Sequence, residues 1–394
     1  MDTPLNWLRS WTSTPDAAWL SEPPVLGRPA KLRSQFWRGG PWDHDVSWHE
    51  PSSLGLAPRT GLLYVTGGPV NPVDQDTLDL LAESLRLPVV GLFQIPVQPL
   101  LGDLWEDDLI AQTFVEFLAS GEPDWPLLGP MVRSVFAAIH LLQGRVDQWI
   151  ITGGSKRGWT SWLAGCTGDP RIVGIAPMVF DQLNARAQIR AQIDSWGTPS
   201  PMIEPYIARG LARALETPSG QRLAALVDPF TTLGNLKCPV LMVHGANDPY
   251  WTVDALGRYW DSIPGSKAVR IVPNQGHNIS DGRDAAPVLA AFARALCRGE
   301  PWPEIRWERE GTRVKASTSV PSLAGRVWRA RGLDAPFSDR LWTSEPLESG
   351  LLEWGLDPGT PEMPTASFLE LDFAGGASLT TQAFRSPDTS YIID

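Results

Sequence analysis

Up to about residue 300, short runs of apolar residues alternate with segments in which apolar residues recur at helical spacing. The short runs are apolar throughout, which is typical of parallel strands covered by helices on both faces. This order predicts a doubly wound, mostly parallel α/β sheet. The predicted strands are residues 61–65, 88–95, 146–151, 172–180, 239–243 and 268–272, and the predicted helices are residues 78–85, 104–117, 131–143, 159–164, 254–260 and 285–298.

The pattern changes after Glu-Pro-Trp-Pro at residues 300–303, a sequence typical of a linker. Short runs of alternating polarity follow, separated by turn residues, and no segment there has helical spacing for more than a turn. Such a pattern predicts an antiparallel β-sandwich of immunoglobulin-like type. The predicted strands are residues 305–309, 313–317, 326–331, 367–373 and 379–384.

Charge and composition narrow the classes of partner. The 394-residue chain has a net charge of −11, which argues against nucleic acid or an anionic membrane as a partner. The odd count of three cysteines indicates no disulfide framework. No apolar run reaches the roughly 18 residues of a membrane span, and the first 29 residues lack the pattern of a signal peptide. We therefore expect a cytoplasmic protein, although a secreted form whose leader had been removed would fit the same sequence.

Nineteen tryptophans are an unusual number for this length. They are suited to packing in the core and between domains, or to a stacking surface for sugars, aromatic rings or cations. The sequence leaves both uses open.

The segment after the strand at 146–151 carries the first candidate for chemistry. Thr-Gly-Gly-Ser-Lys-Arg-Gly at 152–158 leads into a predicted helix, which is typical of a nucleophile elbow that presents Ser155 above the sheet. Gly153 and Gly154 would permit the sharp turn. Arg157 departs from the pattern, which has a small residue two positions after the serine. The alternative is a glycine-rich turn in which Ser155 caps the helix.

Two later loops supply a base and an acid in the order that a serine nucleophile requires. Asp248 follows the strand at 239–243, and His277 follows the strand at 268–272. His277 would take the proton of Ser155 and Asp248 would orient the imidazole. Asp181 and Asp254 are competing acids. At the end of the same strand as Asp248, His244 is expected to make a structural hydrogen bond.

An acyl-transfer serine also needs hydrogen-bond donors for the developing oxyanion. The backbone N–H of Lys156 is one candidate, and that of Gly68 or Val70 is the second, because Pro69 has no N–H. The side chains of Lys156 and Arg157 are candidates for binding a substrate anion or supporting the oxyanion. Alternatively, Arg157 pairs with a buried carboxylate and Lys156 points to solvent.

Three consecutive acids, Glu106, Asp107 and Asp108, open a predicted helical stretch. They would stabilise the start of a helix, or Glu106 and Asp107 would bind a substrate amine, which would favour peptidase chemistry. No cofactor motif is present. Residues 32–37 and 44–48 are predicted to form two further, paired strands. His44 and His49, five residues apart along the second of these strands, would point to opposite faces, so no metal site is expected.

Several blocks of this sequence resemble the PhoPQ-activated pathogenicity-related proteins. The most specific block is Gly-Ser-Lys-Arg-Gly-Trp-Thr at 154–160, and the similarity extends over nearly all the chain after residue 30. Gly154 stands where the family usually has alanine, and Asn-Asp-Pro at 247–249 replaces a Gly-Asp-Glu type sequence. Further similar blocks lie at residues 37–39, 42–44, 105–111, 169–171, 177–179, 227–230, 272–277, 327–330, 366–370 and 379–382.

This resemblance implies an α/β-hydrolase fold and a serine hydrolase triad of Ser155, Asp248 and His277. We expect an α/β-hydrolase domain over residues 1–300, with a cap-like insertion at about 181–235, and a β-sandwich domain over 303–394. A local similarity to glucuronoyl esterases, which also have a basic residue after the nucleophile, hints at esters of acidic sugars. The family does not define the substrate.

Three functions are compatible with these residues. The first is a carboxylic-ester hydrolase, possibly acting on a decorated carbohydrate. The second is a serine peptidase or aminopeptidase, suggested by the acids at 106–108. The third is a non-catalytic binding or signalling protein that keeps the fold. The expected partner is a small-molecule or peptide substrate, and the oligomeric state is left open.

Overall fold

A computed structural model describes residues 3–53, 59–332, 337–347 and 352–388, without the side chains of residues 280 and 281. The extreme ends of the two predicted domains, residues 1–2 and 389–394, lie outside the described residues. No helix in the described residues is long and apolar enough to cross a membrane. The helices are α1 (Pro4–Ser10), α2 (Pro72–Leu85), α3 (Glu106–Ser120), α4 (Leu128–Leu141), α5 (Lys156–Cys166), α6 (Ala185–Trp196), α7 (Glu204–Ala208), α8 (Leu211–Ala214), α9 (Pro218–Val227) and α10 (Ala286–Arg298).

The strands fall into an amino-terminal and a carboxyl-terminal group. The first group is β1 (Ala18–Trp19), β2 (Ala30–Trp37), β3 (Gly40–His49), β4 (Thr60–Val65), β5 (Val89–Leu92), β6 (Gln148–Gly154), β7 (Ile172–Met178), β8 (Val240–Gly245) and β9 (Lys267–Val272). The second group is β10 (Ile305–Glu310), β11 (Arg313–Thr318), β12 (Ser322–Arg331), β13 (Thr343–Pro346), β14 (Glu353–Gly355), β15 (Thr365–Phe373), β16 (Ser378–Thr380) and β17 (Phe384–Ser386).

The central sheet has the order β1-β2-β3-β5-β4-β6-β7-β8-β9. Strands β5, β4, β6, β7, β8 and β9 are parallel, and β1 to β3 are antiparallel. Leu62 and Leu63 on β4 are both fully buried, but they belong to two different hydrophobic clusters. Because successive side chains of a strand point to opposite faces, the sheet is covered on both sides. The uninterrupted apolar runs of the sequence are explained by this double coverage.

The cap-like insertion lies between β7 and β8 and contains α6 to α9, with 3₁₀ turns at Pro201–Ile203 and Pro229–Asn235. Asp228 ties its two ends together, since the carboxylate accepts hydrogen bonds from the backbone N–H groups of Asn184, Ala185 and Phe230. Burial raises the pKa of Asp228 to about 6, although these three bonds oppose the shift. The insertion is thus closed at its base by one buried carboxyl group.

The carboxyl-terminal region contains two antiparallel sheets, one of β10, β11 and β14 and the other of β12, β13, β15, β16 and β17. Trp354 of the first sheet packs edge-on against Phe384 of the second, and its indole N–H donates to the Ser367 hydroxyl at 3.1 Å. The two sheets therefore pack as a sandwich.

A feature that the sequence did not predict is that the sandwich and the central sheet are continuous. Strand β16 pairs antiparallel with β9 through Thr380 and Val269. A buried ion pair between Arg270 and Glu370 (2.9 Å) crosses the same junction. The second sheet of the carboxyl-terminal region thus extends the α/β sheet at its β9 edge.

Candidate active site

Ser155 lies in the turn between β6 and α5, with φ of 57° and ψ of −123°. An L-residue rarely adopts a positive φ, and such strain is concentrated at functional sites. The Ser155 hydroxyl makes no capping hydrogen bond to the helix. Instead, its Oγ lies 2.9 Å from Nε2 of His277. The structure therefore favours the elbow over the alternative of a capping serine.

Two glycines allow the close contacts of this turn. A Cβ at Gly153 would lie 2.7 Å from a carbonyl oxygen of β4, and one at Gly158 would lie 2.6 Å from the carbonyl oxygen of Met178. A Cβ at Gly154 would meet only a side-chain methyl group at 3.6 Å, an ordinary contact. Of the two glycines that the sequence analysis associated with the turn, Gly153 is therefore sterically needed and Gly154 is not, while Gly158, three residues after the serine, has a second steric role.

His277 is held by contacts on two sides. Its Nδ1 lies 2.7 Å from Oδ2 of Asp248, while Oδ1 of Asp248 accepts the Tyr250 N–H at 2.9 Å. The Tyr250 ring stacks on the imidazole with 4.1 Å between centroids. Asp248 is almost completely buried, whereas about a quarter of the His277 side chain is exposed. Tyr250 was not singled out in the sequence, because nothing in its spacing indicates stacking on a histidine 27 residues later.

The competing acids have other partners. The Asp181 carboxylate accepts a 2.7 Å hydrogen bond from the Tyr259 hydroxyl, and burial raises the pKa of Asp181. Asp254 pairs with Arg258. Asp248 is thus the carboxylate that the structure places on His277. The expected structural hydrogen bond of His244 is wrong, since neither ring nitrogen has a partner within the described part of the chain.

The two predicted oxyanion donors lie at the same edge of the sheet as Ser155. Lys156 is the first residue of α5, so its N–H has no acceptor within the helix. Gly68 follows β4, whose end is in register with Gly153 of the neighbouring β6. The Gly68 carbonyl accepts from the Gln94 N–H at 3.0 Å, which fixes this loop. Their role in oxyanion binding stays a prediction.

Arg157 does not line the pocket above Ser155. Its guanidinium makes two hydrogen bonds to Glu106, at 2.7 and 2.6 Å, and its Nε–H donates to the Ile95 carbonyl at 2.5 Å. Only 9% of the side chain is exposed. The predicted substrate-binding role of Arg157 is therefore corrected to a structural one, because its donors are already bound inside the protein.

Glu106 is committed to the same internal pair. Burial alone would raise the pKa of its carboxyl, but the hydrogen bonds and charge of Arg157, with smaller effects from Gln98 and Lys156, outweigh burial and lower the pKa to about 2. Glu106 also begins α3, and Gln98 binds both its N–H and its carboxylate. The predicted contact of Glu106 with a substrate amine is thus not supported by the geometry.

Lys156 and Asp107 form a second pair, with 2.6 Å between Nζ and Oδ2. The Tyr206 hydroxyl donates to the other oxygen of Asp107 at 2.9 Å. Lys156 is 11% exposed, so it does not point into bulk solvent as the alternative interpretation required. Asp108, the third acid, pairs with Arg209. Each acid of the cluster is therefore paired with a cation.

A pocket with about 950 Å³ of free space, including its open mouth, lies between Ser155 and the cap. Trp159 and Phe180 stack at its side, with centroids 5.1 Å apart. Most tryptophans are instead buried in the core. The pocket is mainly aliphatic and aromatic, and its lining is Asp107, Phe114, Ser155, Lys156, Trp159, Phe180, Gln182, Ala185, Ile189, Ile203, Tyr206, Ile207, Leu211, Ala212, Leu215, Leu223, Ala224, Val227, Asp228, Pro229, Tyr250 and Trp251.

The two early histidines have structural contacts. His44 interacts with the Ser34 hydroxyl and the Gln94 carbonyl, and burial lowers its pKa to about 4. His49 pairs with Asp79. In the part of the chain that the structure describes, no group of three or more His, Cys, Asp or Glu side chains is arranged to hold a metal ion.

The parallel sheet, the turn that presents Ser155 and the loops that bring Asp248 and His277 to it define an α/β-hydrolase fold. Two acetyl xylan esterases share this fold. The enzyme from Thermoanaerobacterium sp. JW/SL YS485 has a TM-score of 0.54 and 15% identity, covering 74% of this chain and 92% of its own. The enzyme from Paenibacillus sp. R4 has a TM-score of 0.51 and 14% identity, covering 75% and 94%. The predicted fold class is confirmed.

The sequence comparisons define the family. The family model of the PhoPQ-activated pathogenicity-related proteins matches residues 24–335, and this chain belongs to that family. It is also 32% identical, over 340 residues, to autocrine proliferation repressor protein A of Dictyostelium discoideum, covering 80% of this chain and 67% of that protein. The resemblance inferred from the motifs is confirmed.

Proposed function

We propose that the protein is a serine hydrolase that cleaves a carboxylic ester through an acyl-enzyme on Ser155. The observation that carries this proposal is the hydrogen-bonded chain from Ser155 through His277 to Asp248. His277 takes the hydroxyl proton as Oγ attacks the ester carbonyl, and passes it to the departing alkoxide. Water then attacks the acyl-enzyme and gives a proton to His277, which returns this proton to the departing Oγ of Ser155 as the acid is released.

An ester is preferred to a peptide because the cluster at 106–108 is already neutralised. Glu106, Asp107 and Asp108 pair with Arg157, Lys156 and Arg209. Binding of a substrate ammonium would compete with these ion pairs. The same contacts weaken the case for an acidic-sugar ester, since neither cation beside Ser155 is unpaired.

Labelling with a fluorophosphonate tests the activated serine without knowledge of the substrate. We expect wild type to be labelled covalently and Ser155→Ala to show no labelling, because only an activated serine hydroxyl attacks the probe. Ser161→Ala is the matched control, because Ser161 lies buried in α5, the helix that follows Ser155, and its hydroxyl donates to the Arg157 carbonyl. Labelling that persists in Ser155→Ala, or is lacking in folded wild type, would overturn the proposal.

Substrate comparison tests the choice between ester and amide. We expect higher kcat/KM on p-nitrophenyl esters than on aminoacyl p-nitroanilides. Asp107→Asn, which keeps the shape of the side chain but removes its charge, should change both activities in parallel. A selective loss of anilide cleavage in this variant would instead assign Asp107 to amine recognition and favour an aminopeptidase.

A further inference from the structure

The pocket above Ser155 is closed on its cap side by apolar side chains from four helices. Ile189 of α6, Ile207 of α7, Leu211 of α8 and Leu223 of α9 all line it. Binding of an apolar ligand group against this surface is favourable, because it removes apolar area of both from water.

The charged groups in the lining are already engaged. Asp107 and Lys156 form an ion pair, and the Asp228 carboxylate accepts three backbone N–H bonds at the base of the cap. Bringing an ionic ligand group into the pocket would therefore cost desolvation without an available counter-charge. The polar side chains that remain in the lining are uncharged.

We propose that this pocket binds an apolar substituent of the ester substrate, either an aliphatic chain or an aromatic ring. The inference rests on the proposed hydrolase function and adds to it the chemical class of the substrate. The cap helices α6 to α9 supply the specificity, and the stacked Trp159–Phe180 pair forms the wall on the side of the catalytic turn.

A chain-length series measures this preference. For p-nitrophenyl esters from acetate to octanoate, we expect kcat/KM to rise by up to roughly fourfold per methylene group, the factor that corresponds to burial of one CH₂. A parallel series of acetates of longer alcohols shows whether the apolar group belongs to the acyl or the alcohol side. A rise in either series supports the pocket.

Filling the pocket should remove the preference. Ala212 of α8 lines the cavity with a small side chain, whereas the adjacent Arg213 is exposed and outside the lining. Ala212→Trp is expected to flatten the chain-length dependence, whereas Arg213→Trp should keep the wild-type series. If Ala212→Trp fails to fold, the same test can be made with Ala224→Leu on α9, which also fills the pocket. Its control is Ser219→Leu, because Ser219 is exposed and outside the lining.

Fluorophosphonate labelling separates failure of this inference from failure of the proposed function. If wild type is labelled at Ser155 but kcat/KM does not rise with chain length in either the acyl or the alcohol series, the proposal of an apolar substituent is wrong and the proposed hydrolase function stands. The same conclusion follows if Ala212→Trp and Ala224→Leu fold and keep the full chain-length dependence. Absence of labelling would overturn the hydrolase itself.

Discussion

Replacing Asp248 by asparagine is expected to lower kcat by about 10⁴-fold on any ester that the protein cleaves. Asp248 accepts from the Tyr250 N–H through one oxygen and contacts Nδ1 of His277 through the other. With the Tyr250 bond retained, an asparagine would present its NH₂ group to His277. The imidazole would then carry its proton on Nε2, where it could not accept the proton of Ser155. The measurement is kcat from steady-state kinetics, with circular dichroism to verify that the variant is folded.

Asp181→Asn is the matched control for this prediction. Asp181 is also buried and also follows a core strand, but its carboxylate accepts from the Tyr259 hydroxyl. We expect kcat to stay within about tenfold of wild type, because Asp181 orients no catalytic group. If Asp181→Asn lost activity and Asp248→Asn retained it, the assignment of the catalytic acid would be wrong.

The sequence predicted the α/β sheet because its strands are buried on both faces and therefore apolar without interruption. The same reasoning placed Ser155, Asp248 and His277 on loops at one edge, since parallel strands bring their carboxyl ends together. Element ends were less accurate. Helix α2 begins at Pro72, six residues before the predicted start, because polar residues form its first turn.

What the sequence could not supply were contacts between distant residues. Arg157 and Glu106 are 51 positions apart. The sequence left a substrate contact open for each of them beside a structural role, because the partner of each was unknown. Helix α1 was not predicted, because it has only seven residues, too few to show a helical period. Its buried residues, Trp7 and Leu8, pack against elements that are distant in the sequence. Among the described residues, the backbone register of β16 on β9 is one pair, Thr380 and Val269, which is too short to leave a sequence pattern.

The second large effect is expected from a single methyl group at Gly67. A Cβ at this position would lie 1.7 Å from Nη2 and 2.0 Å from Cζ of Arg157, so the guanidinium would have to leave its place. That movement breaks its hydrogen bonds with Glu106 and the Ile95 carbonyl. We expect Gly67→Ala to lower the free energy of unfolding by about 2–4 kcal/mol. Part of this loss comes from overpacking and part from weakening of the Arg157–Glu106 ion pair, whose contribution is moderated because 37% of the Glu106 side chain is exposed.

Gly68→Ala is the matched control, because a Cβ there would meet no atom within 4 Å. Urea unfolding should place this variant within about 0.5 kcal/mol of wild type. Equal destabilisation by the two substitutions would show that the loop, rather than the Arg157 pair, responds to added side chains.

Acid titration gives Gly67→Ala an additional readout. The folded-state pKa of Glu106 is about 2, below its ordinary value of 4.5. The stabilisation associated with this depressed pKa is therefore present above about pH 4.5 and is lost as the pH falls toward 2. Gly67→Ala already lacks the contact that depresses the pKa, so the difference in unfolding free energy between it and wild type should narrow over this range. A difference that stays constant with pH would locate the damage in packing and leave the Arg157–Glu106 pair intact.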